Sequence, residues 1–346
     1  KLNICLLTSV NNLIFSINPY VSAKSSFSLI RYYFFFLAIL YSLSNIDNFR
    51  LIFTRMLFVA VLFVIIDSYI QYFFNKDIFG YPSLNSRLTG PFGSEKVVGA
   101  YISKLIFLSF SFLIIKKINI RYICLITIIA LVLIILSNER SSSIMFATSM
   151  LLFLAFCQVR LLFKFAILSF VLIFLSLLLN YNTQLKERFI NEPAKYFKDN
   201  HHKAHFLTAI EIFKDNKIVG SGIKTFKVVC HNKKYENIKS VYYKDRCTTH
   251  PHNLYLEIIS ETGILGILII ISVNFYIAFQ LMKGFFTKTR FRNEILFIFC
   301  NFFILFWPLQ TTGSFFSSWN GVFYWLFFAF FFDFKKNILT KKPIQM

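Results

Sequence analysis

The sequence predicts an all-α fold, a polytopic transmembrane bundle of about nine or ten spans with one large periplasmic loop that contains helices of its own. Three observations predict it. Hydrophobic residues make up 56% of the 346 positions and charged residues only 15%, against roughly a quarter charged in an ordinary soluble protein. There are 47 phenylalanines and mean hydropathy is +0.61, more apolar side chain than a soluble core of this length hides. The apolar residues also fall in runs long enough, or nearly so, to cross a bilayer as helices. The same composition excludes disorder, which needs low hydrophobicity.

Nine runs stand out, at 27–43, 52–73, 97–115, 119–136, 143–158, 161–179, 263–282, 294–307 and 319–333. Polar punctuation separates them in order. Arg50 and Arg55 flank the start of the second, and RLTGPFGSE (87–95) separates the second from the third. Lys116, Lys117 and Arg121 follow the third, SNERSSS (137–143) the fourth, and Arg160 with Lys164 the fifth. A long hydrophilic stretch follows the sixth, Lys283 to Arg292 the seventh, and Pro308 to Ser318 the eighth. A tenth stretch, around 3–17, carries Asn11 and Asn12 and is expected to be a span or a signal peptide, though no small-residue cleavage site is evident. The expected organisation is 1–179 as N-terminal transmembrane helices, 180–252 as the periplasmic loop and 253–346 as C-terminal transmembrane helices, in one integrated membrane domain.

Orientation follows from the short loops, because Lys and Arg collect on the cytoplasmic side. Lys116, Lys117, Arg121, Arg160, Lys164, Lys283, Lys288, Arg290, Arg292 and the basic tail mark that side, while Pro308 to Ser318 has no Lys or Arg. Residues 180–252 then lie outside. The net charge of +21 is read as this asymmetry together with anionic lipid headgroups. No nucleic-acid partner is expected, since no basic region stands apart from the spans.

All six histidines fall in the outer stretch: His201, His202, His205, His231, His250 and His252. Clustering of near-neutral titrating groups there points to binding or chemistry on that face. Cys230 and Cys247 are the only cysteines in the same stretch, and an oxidising exterior favours their pairing over two free thiols. Closing that loop stabilises by about 3 kcal/mol in the chain-entropy model. Cys5, Cys124, Cys157 and Cys300 sit in apolar runs, where they pack.

The most specific stretch is TTHPHNLYLEIISETGILG (248–266). Thr249 is expected to cap a helix, with Pro251 in its first turn. His252 and Asn253 then sit near a helix N-terminus, where N–H groups favour anions. Asn253, Glu257 and Glu261 recur every four residues and share one face, and Gly263 with Gly266 permits close helix contact. His252 reads as a general base or as a surface histidine at a polar helix entry. Spacing alone leaves both open. Upstream, residues 205–226 read as an amphipathic helix ending near Lys217, then a turn at Gly220-Ser221-Gly222. The dinucleotide reading fails for want of a strand–helix–strand unit. The glycines beside Lys224 are either a backbone approach to phosphate or an ordinary turn.

Arg140 lies at the outer ends of two spans, as a diphosphate clamp or as an interfacial anchor paired with Glu139. Arg87 is a second candidate on that face. Asp67 and Gln71, near the outer end of their span, invite a functional hypothesis because intramembrane carboxylates are costly.

His252-Asn253, nine residues, then Gly263-x-x-Gly266 resembles the signature of the O-antigen ligase/polymerase superfamily. Gly220-x-Gly222 with Phe226, the stretch CTTHPHN, and the region from Asp67 through RLTGPFGSE are also similar. The likeness runs from about residue 60 to 330. It implies a metal-independent inverting glycosyltransferase without cofactor, in the bacterial inner membrane with its site facing the periplasm. The implied donor is a glycan on undecaprenyl diphosphate. The acceptor is lipid A–core for a ligase and a growing polysaccharide for a polymerase, with membrane lipids around both. The resemblance assigns His252 to acceptor activation and Arg140 to the diphosphate. Arg87, Lys224, His250, Asn253 and Glu257 fall in the expected substrate-binding set with Gly220 and Gly222. Many members carry a second arginine about 18 residues before the G-x-G turn. That position is His202 here, for which Lys203 or His205 are candidate substitutes.

Ligase leads polymerase in this reading, with a protein O-oligosaccharyltransferase third. Two other classes stand beside them. A lipid or anion transporter predicts polar residues deep in the spans, and few are present. A structural protein with an adhesive outer loop tolerates loss of His252.

Overall fold

The computed structural model describes residues 16–84, 87–195, 199–286 and 292–340. Among these the fold is all-α, and pairing of extended backbone is limited to the isolated bridges Lys76–Pro82 and Leu84–Arg87. The longer helices are α1 (Pro19–Asn45), α2 (Phe49–Phe74), α3 (Val98–Ile115), α4 (Ile120–Leu136) and α5 (Arg140–Phe156). After them come α6 (Leu161–Tyr181), α7 (His201–Asp215), α8 (Leu254–Phe286), α9 (Arg292–Phe306) and α10 (Ser318–Thr340). Each of the nine predicted spans falls on one of them. The tenth stretch, around 3–17, lies almost wholly outside the described residues. Helices α1, α2, α3, α6 and α8 are long and apolar enough to cross a membrane, and α4 and α5 are shorter apolar helices. The chain is a multi-pass membrane protein.

Polar residues just ahead of the helices start several of them. Asn18, Asn119 and Asn200 each accept a backbone N–H two or three residues on with the side-chain oxygen, and Ser317 does so for Asn320. These bonds satisfy donors that a helix leaves unpaired at its N-terminus.

The chain divides into two compact units. One comprises Tyr41–Lys195, Gln280–Trp307 and Phe330–Met346. Its centre is α3, buried on most sides and packed against α2, α4 and α9. Phe107 of α3 lies 5.6 Å from Phe146, 6.2 Å from Phe153 and 6.5 Å from Phe297, ring centre to ring centre. Such pairs add about 0.5–1.5 kcal/mol each beyond area burial. Helix α6 is as apolar as α3, yet only Ile167 of it is buried. Its Leu162, Phe165, Phe170 and Ile173 are exposed, as suits a helix bathed in lipid. Arg50 of α2 and Asp333 of α10 form a buried ion pair. Gln71 and Asp67 hold the segment after α2. The Gln71 side chain accepts the Thr89 and Gly90 amides at 2.8 and 2.9 Å and donates to Tyr81 O and Thr89 Oγ1. Asp67 accepts the Ile78 amide at 2.8 Å. Both therefore fasten a loop.

The other unit comprises residues through Leu40, Tyr196–Phe279 and Pro308–Ala329. It holds a small apolar core of Ala209, Ile212, Phe226, Val229, Cys230 and Tyr235, with Cys247 and Leu256 against it. Cys230 and Cys247 are joined as a disulfide, with Cα atoms 5.4 Å apart. Arg246, beside the bridge, donates from Nε to the Cys230 carbonyl and pairs with Glu236.

Candidate functional site

Helix α8 organises the site. Its N-cap is Asn253, whose side-chain oxygen accepts the Tyr255 and Leu256 amides at 3.0 and 3.1 Å. The expected cap, Thr249, is not the cap. Pro251 and His252 precede the helix, and His252 takes a left-handed φ of 57°, which turns the chain into the Asn253 cap. Thr249 instead bonds the Nδ1 of His250 at 2.8 Å.

The Asn253–Glu257–Glu261 stripe is buried and grips two loops. Asn253 Nδ2 donates to the carbonyls of Pro308 and Gln310. Glu257 accepts the Ser314 hydroxyl at 2.5 Å and the Phe315 amide at 2.7 Å. Glu261 accepts the amides of Lys224 and Phe226 at 2.6 and 3.1 Å. A carboxylate that takes two donors is a strong fastening for a loop. The Lys224 side chain lies within electrostatic reach of Glu257, Glu261 and His250.

At Gly263, with φ 65° and ψ −161°, α8 is broken. In an unbroken helix Ile264 N–H bonds Ser260 O, and Leu265 N–H bonds Glu261 O. Here those two donors go to the carbonyls of Lys217 and Ile218, and those two acceptors take the amides of Ser221 and Gly222. The G-x-G segment thus completes the hydrogen bonding of the broken helix, so that its buried backbone groups are paired. The close approach expected of Gly263 is therefore to this segment's backbone. A Cβ there would meet the Ile218 carbonyl, and one at Gly220 would meet the backbone of Glu261 and Thr262. Gly266 leaves room for the Thr262 side chain. Gly222 faces Ser16, and Ser221 O accepts Ile17 N–H at 2.9 Å.

Four histidines gather ahead of the helix. The His252 ring centre lies 4.2 Å from His250, 5.2 Å from His202 and 5.3 Å from His205. His250 Nε2 contacts Thr312 O at 3.2 Å, and Thr312 N–H donates to His252 O at 2.9 Å. His205 is buried with Nε2 on the Asp245 carbonyl at 2.9 Å. Burial, then the neighbouring histidines, push His252 down to about 3. Burial also lowers His205 and His250. His205, His250 and His252 are therefore all held toward the neutral form. Lys203 points to Asp199, with 3.9 Å between Nζ and Oδ1, and His201 pairs with the Asp245 carboxylate.

Arg87 and Arg140 belong to the other unit. Arg140 does not pair with Glu139. That carboxylate caps α3 through the Gly99 and Ala100 amides at 2.6 and 3.0 Å. Arg140 lies 3.5 Å from Glu192, which also pairs with Arg188 at 2.7 Å. Arg87, Arg140 and Arg188 lie close enough to feel one another's charge. Arg87 also donates to Lys96 O. Sequence reasoning passed over Arg188. Its only signal was an acid four residues on, in the hydrophilic stretch after α6.

Residues 125–271 match the family model described as O-antigen ligase. That range runs from within α4 through the four histidines and past the break in α8. A search of curated proteins found no match. The family match supports the O-antigen ligase/polymerase superfamily and a membrane glycosyltransferase of that type.

Proposed function

We propose that this chain is a member of the O-antigen ligase/polymerase superfamily and acts as a ligase. It transfers a glycan from undecaprenyl diphosphate to lipid A–core at the periplasmic face of the bacterial inner membrane. The observation that carries the reading is the His252 imidazole, neutral and half-buried, on a left-handed turn that Asn253 and the 308–315 loop hold in place. A neutral imidazole offers a lone pair to an acceptor hydroxyl. The acceptor oxygen attacks the anomeric carbon, the bond from that carbon to the diphosphate oxygen breaks, and the configuration inverts. The hydroxyl proton passes to His252.

The leaving group is a concentrated anion, and cations aimed at it lower the barrier. Arg140, Arg188 and Arg87 are assigned that role, because guanidinium forks match diphosphate oxygens. Lys224 adds a cation beside His250. A base held near 3 is weak, and an anion arriving nearby raises it toward the working range. Transfer on this scheme uses no metal.

Disruption of the gene followed by lipopolysaccharide electrophoresis tests the reading. A ligase mutant keeps long glycan on its lipid carrier and none on lipid A. A single repeat on lipid A would make the protein a polymerase, and unchanged lipopolysaccharide would reject both.

A further inference from the structure

One oxygen of Glu192 sits between two guanidiniums. Its Oε2 accepts Arg188 Nη1 at 2.7 Å and lies 3.5 Å from Arg140 Nη1. Arg87 is close enough for its charge to act on both arginines. Glu139, the acid that acts on Arg87, already takes two α3 amides and the Ser142 hydroxyl. Among the described residues the Glu192 side chain is held by the two arginines alone. Three cations against two carboxylates leave a positive excess. The side chains of Arg140, Arg188 and Glu192 are each about a third exposed, and ion pairs of that exposure are weak. A ligand of higher charge can displace the acid, and water can then take it up. Carboxylate and phosphate oxygens meet a guanidinium fork in the same way, so Glu192 stands where a phosphate would.

We propose that Glu192 is a built-in stand-in for phosphate, which fills the Arg140–Arg188 site at rest, yields it to the donor diphosphate and competes with the spent carrier for it after transfer. The proposal rests on the arginine assignment above. In a glycosyl diphosphate each phosphate carries one negative charge. When the bond from the anomeric carbon breaks, its electron pair stays on the diphosphate oxygen, and the acceptor proton passes to His252. The spent carrier therefore holds one more negative charge than the donor, and the arginines bind it more tightly. Unopposed, it would dwell in the site and block the next donor. A carboxylate tethered beside the arginines competes at high effective concentration. It weakens donor and product by the same factor, which matters most for the product, because the product is held longest. Glu192 is on this view a positioning residue that acts through Arg140 and Arg188 and never touches the reacting carbon.

The test is calorimetric titration of the purified full chain in detergent with inorganic pyrophosphate, free of divalent ions. Glu192→Gln keeps the shape and removes the charge, and should bind pyrophosphate roughly three- to tenfold more tightly than the wild type. Adding Arg188→Ala to it should abolish the gain. Glu187→Gln removes the same charge from the same segment, at a residue that bonds Asn191, and should bind as the wild type does. Glu192→Asp withdraws the charge on a shorter stem and should tighten binding less, which keeps the test open if the glutamine variant fails to fold. In transfer from lipid-linked glycan, Glu192→Gln should complete its first turnover and then slow. Binding by Glu192→Gln no tighter than that of the wild type overturns the proposal. Equal tightening by Glu187→Gln overturns it too, since the effect is then one of net charge. Later turnovers as fast as the wild type's overturn the role in product release. Binding needs neither donor nor acceptor, so its failure leaves the ligase reading to its own assay. Tightening in Glu192→Gln while gene disruption leaves lipopolysaccharide unchanged keeps the stand-in and rejects that reading.

Discussion

Gly263 sets its α-carbon against the carbonyl of Ile218, and a methyl group there would overlap that carbonyl. The same residue has φ 65° and ψ −161°, a region open essentially to glycine that costs an L-residue about 1–3 kcal/mol. Gly263→Ala should therefore destabilise by about 3 kcal/mol or more, since the obstacle is backbone and cannot rotate away. Gly266→Ala differs in kind, because its methyl meets the Thr262 side chain. Thermal unfolding in detergent should show Gly266→Ala rescued by Thr262→Ala and Gly263→Ala not rescued. Equal rescue of both would mean that the segment 217–222 is not locked into the helix break.

Glu261 should matter for shape before chemistry. Its two oxygens hold the Lys224 and Phe226 amides, and leaving a buried amide unsatisfied costs about 1–3 kcal/mol. Glu261→Gln keeps one acceptor and turns an NH₂ toward the other amide, so it should lower stability by roughly that amount. Hydrogen exchange at residues 224–226 should accelerate. Unchanged exchange in Glu261→Gln would detach the carboxylate from the loop.

Much of this was legible in the sequence. Runs of apolar residues have only helices to form in a bilayer, so the spans could be read directly. The H-N-x9-G-x-x-G spacing marked the start of α8. The break itself was not legible, because two glycines three apart serve helix–helix contact equally well. The N-cap was misassigned to Thr249 because propensity ranks Thr and Asn alike, and the tertiary loop at 308–315 chose Asn253. Glu139 and Arg140, adjacent in sequence, point to different partners, and only the fold brings Glu192 to Arg140. Arg188 was hidden for the same reason.

The Cys230–Cys247 bridge closes a span of 17 residues, with Cys230 inside the small core and Cys247 packed against it. Cys247→Ser should cost about 3 kcal/mol in the loop-entropy account, and should loosen Arg246, which donates to the Cys230 carbonyl. Mass mapping of unreduced protein should recover one linked peptide pair. Two alkylatable thiols at these positions would remove the bridge from the native protein.

Arg188 and Arg140 share Glu192. If the arginines hold the leaving diphosphate, Arg140→Ala and Arg188→Ala should each cut transfer strongly at equal folded amount. The lysine variants should recover only part of the rate, because a point charge replaces a planar fork. Removing Glu192 instead should leave the cations in place, so Glu192→Gln should transfer at least as well as either arginine variant. Full transfer by Arg140→Ala and Arg188→Ala would return both residues to a surface ion-pair role.

His252 gives the sharpest test of the chemistry. Its φ of 57° makes alanine a poor probe, since a left-handed alanine is strained and could lower the folded amount. Asparagine tolerates that conformation and cannot act as a base, so His252→Asn separates catalysis from folding. Loss of a general base should slow transfer by roughly 10²–10⁴-fold, with acceptor affinity changed far less. His250→Ala should be milder, because both ring nitrogens of His250 are engaged, by Thr249 and Thr312, in holding the loop. A chelator should leave wild-type transfer intact, since the scheme uses no metal. The measurement is turnover by purified protein with lipid-linked glycan and acceptor, each variant at equal folded amount. Near-normal turnover by His252→Asn would leave leaving-group stabilisation by cations as the main source of rate, and reduce the histidine to a polar entry to α8.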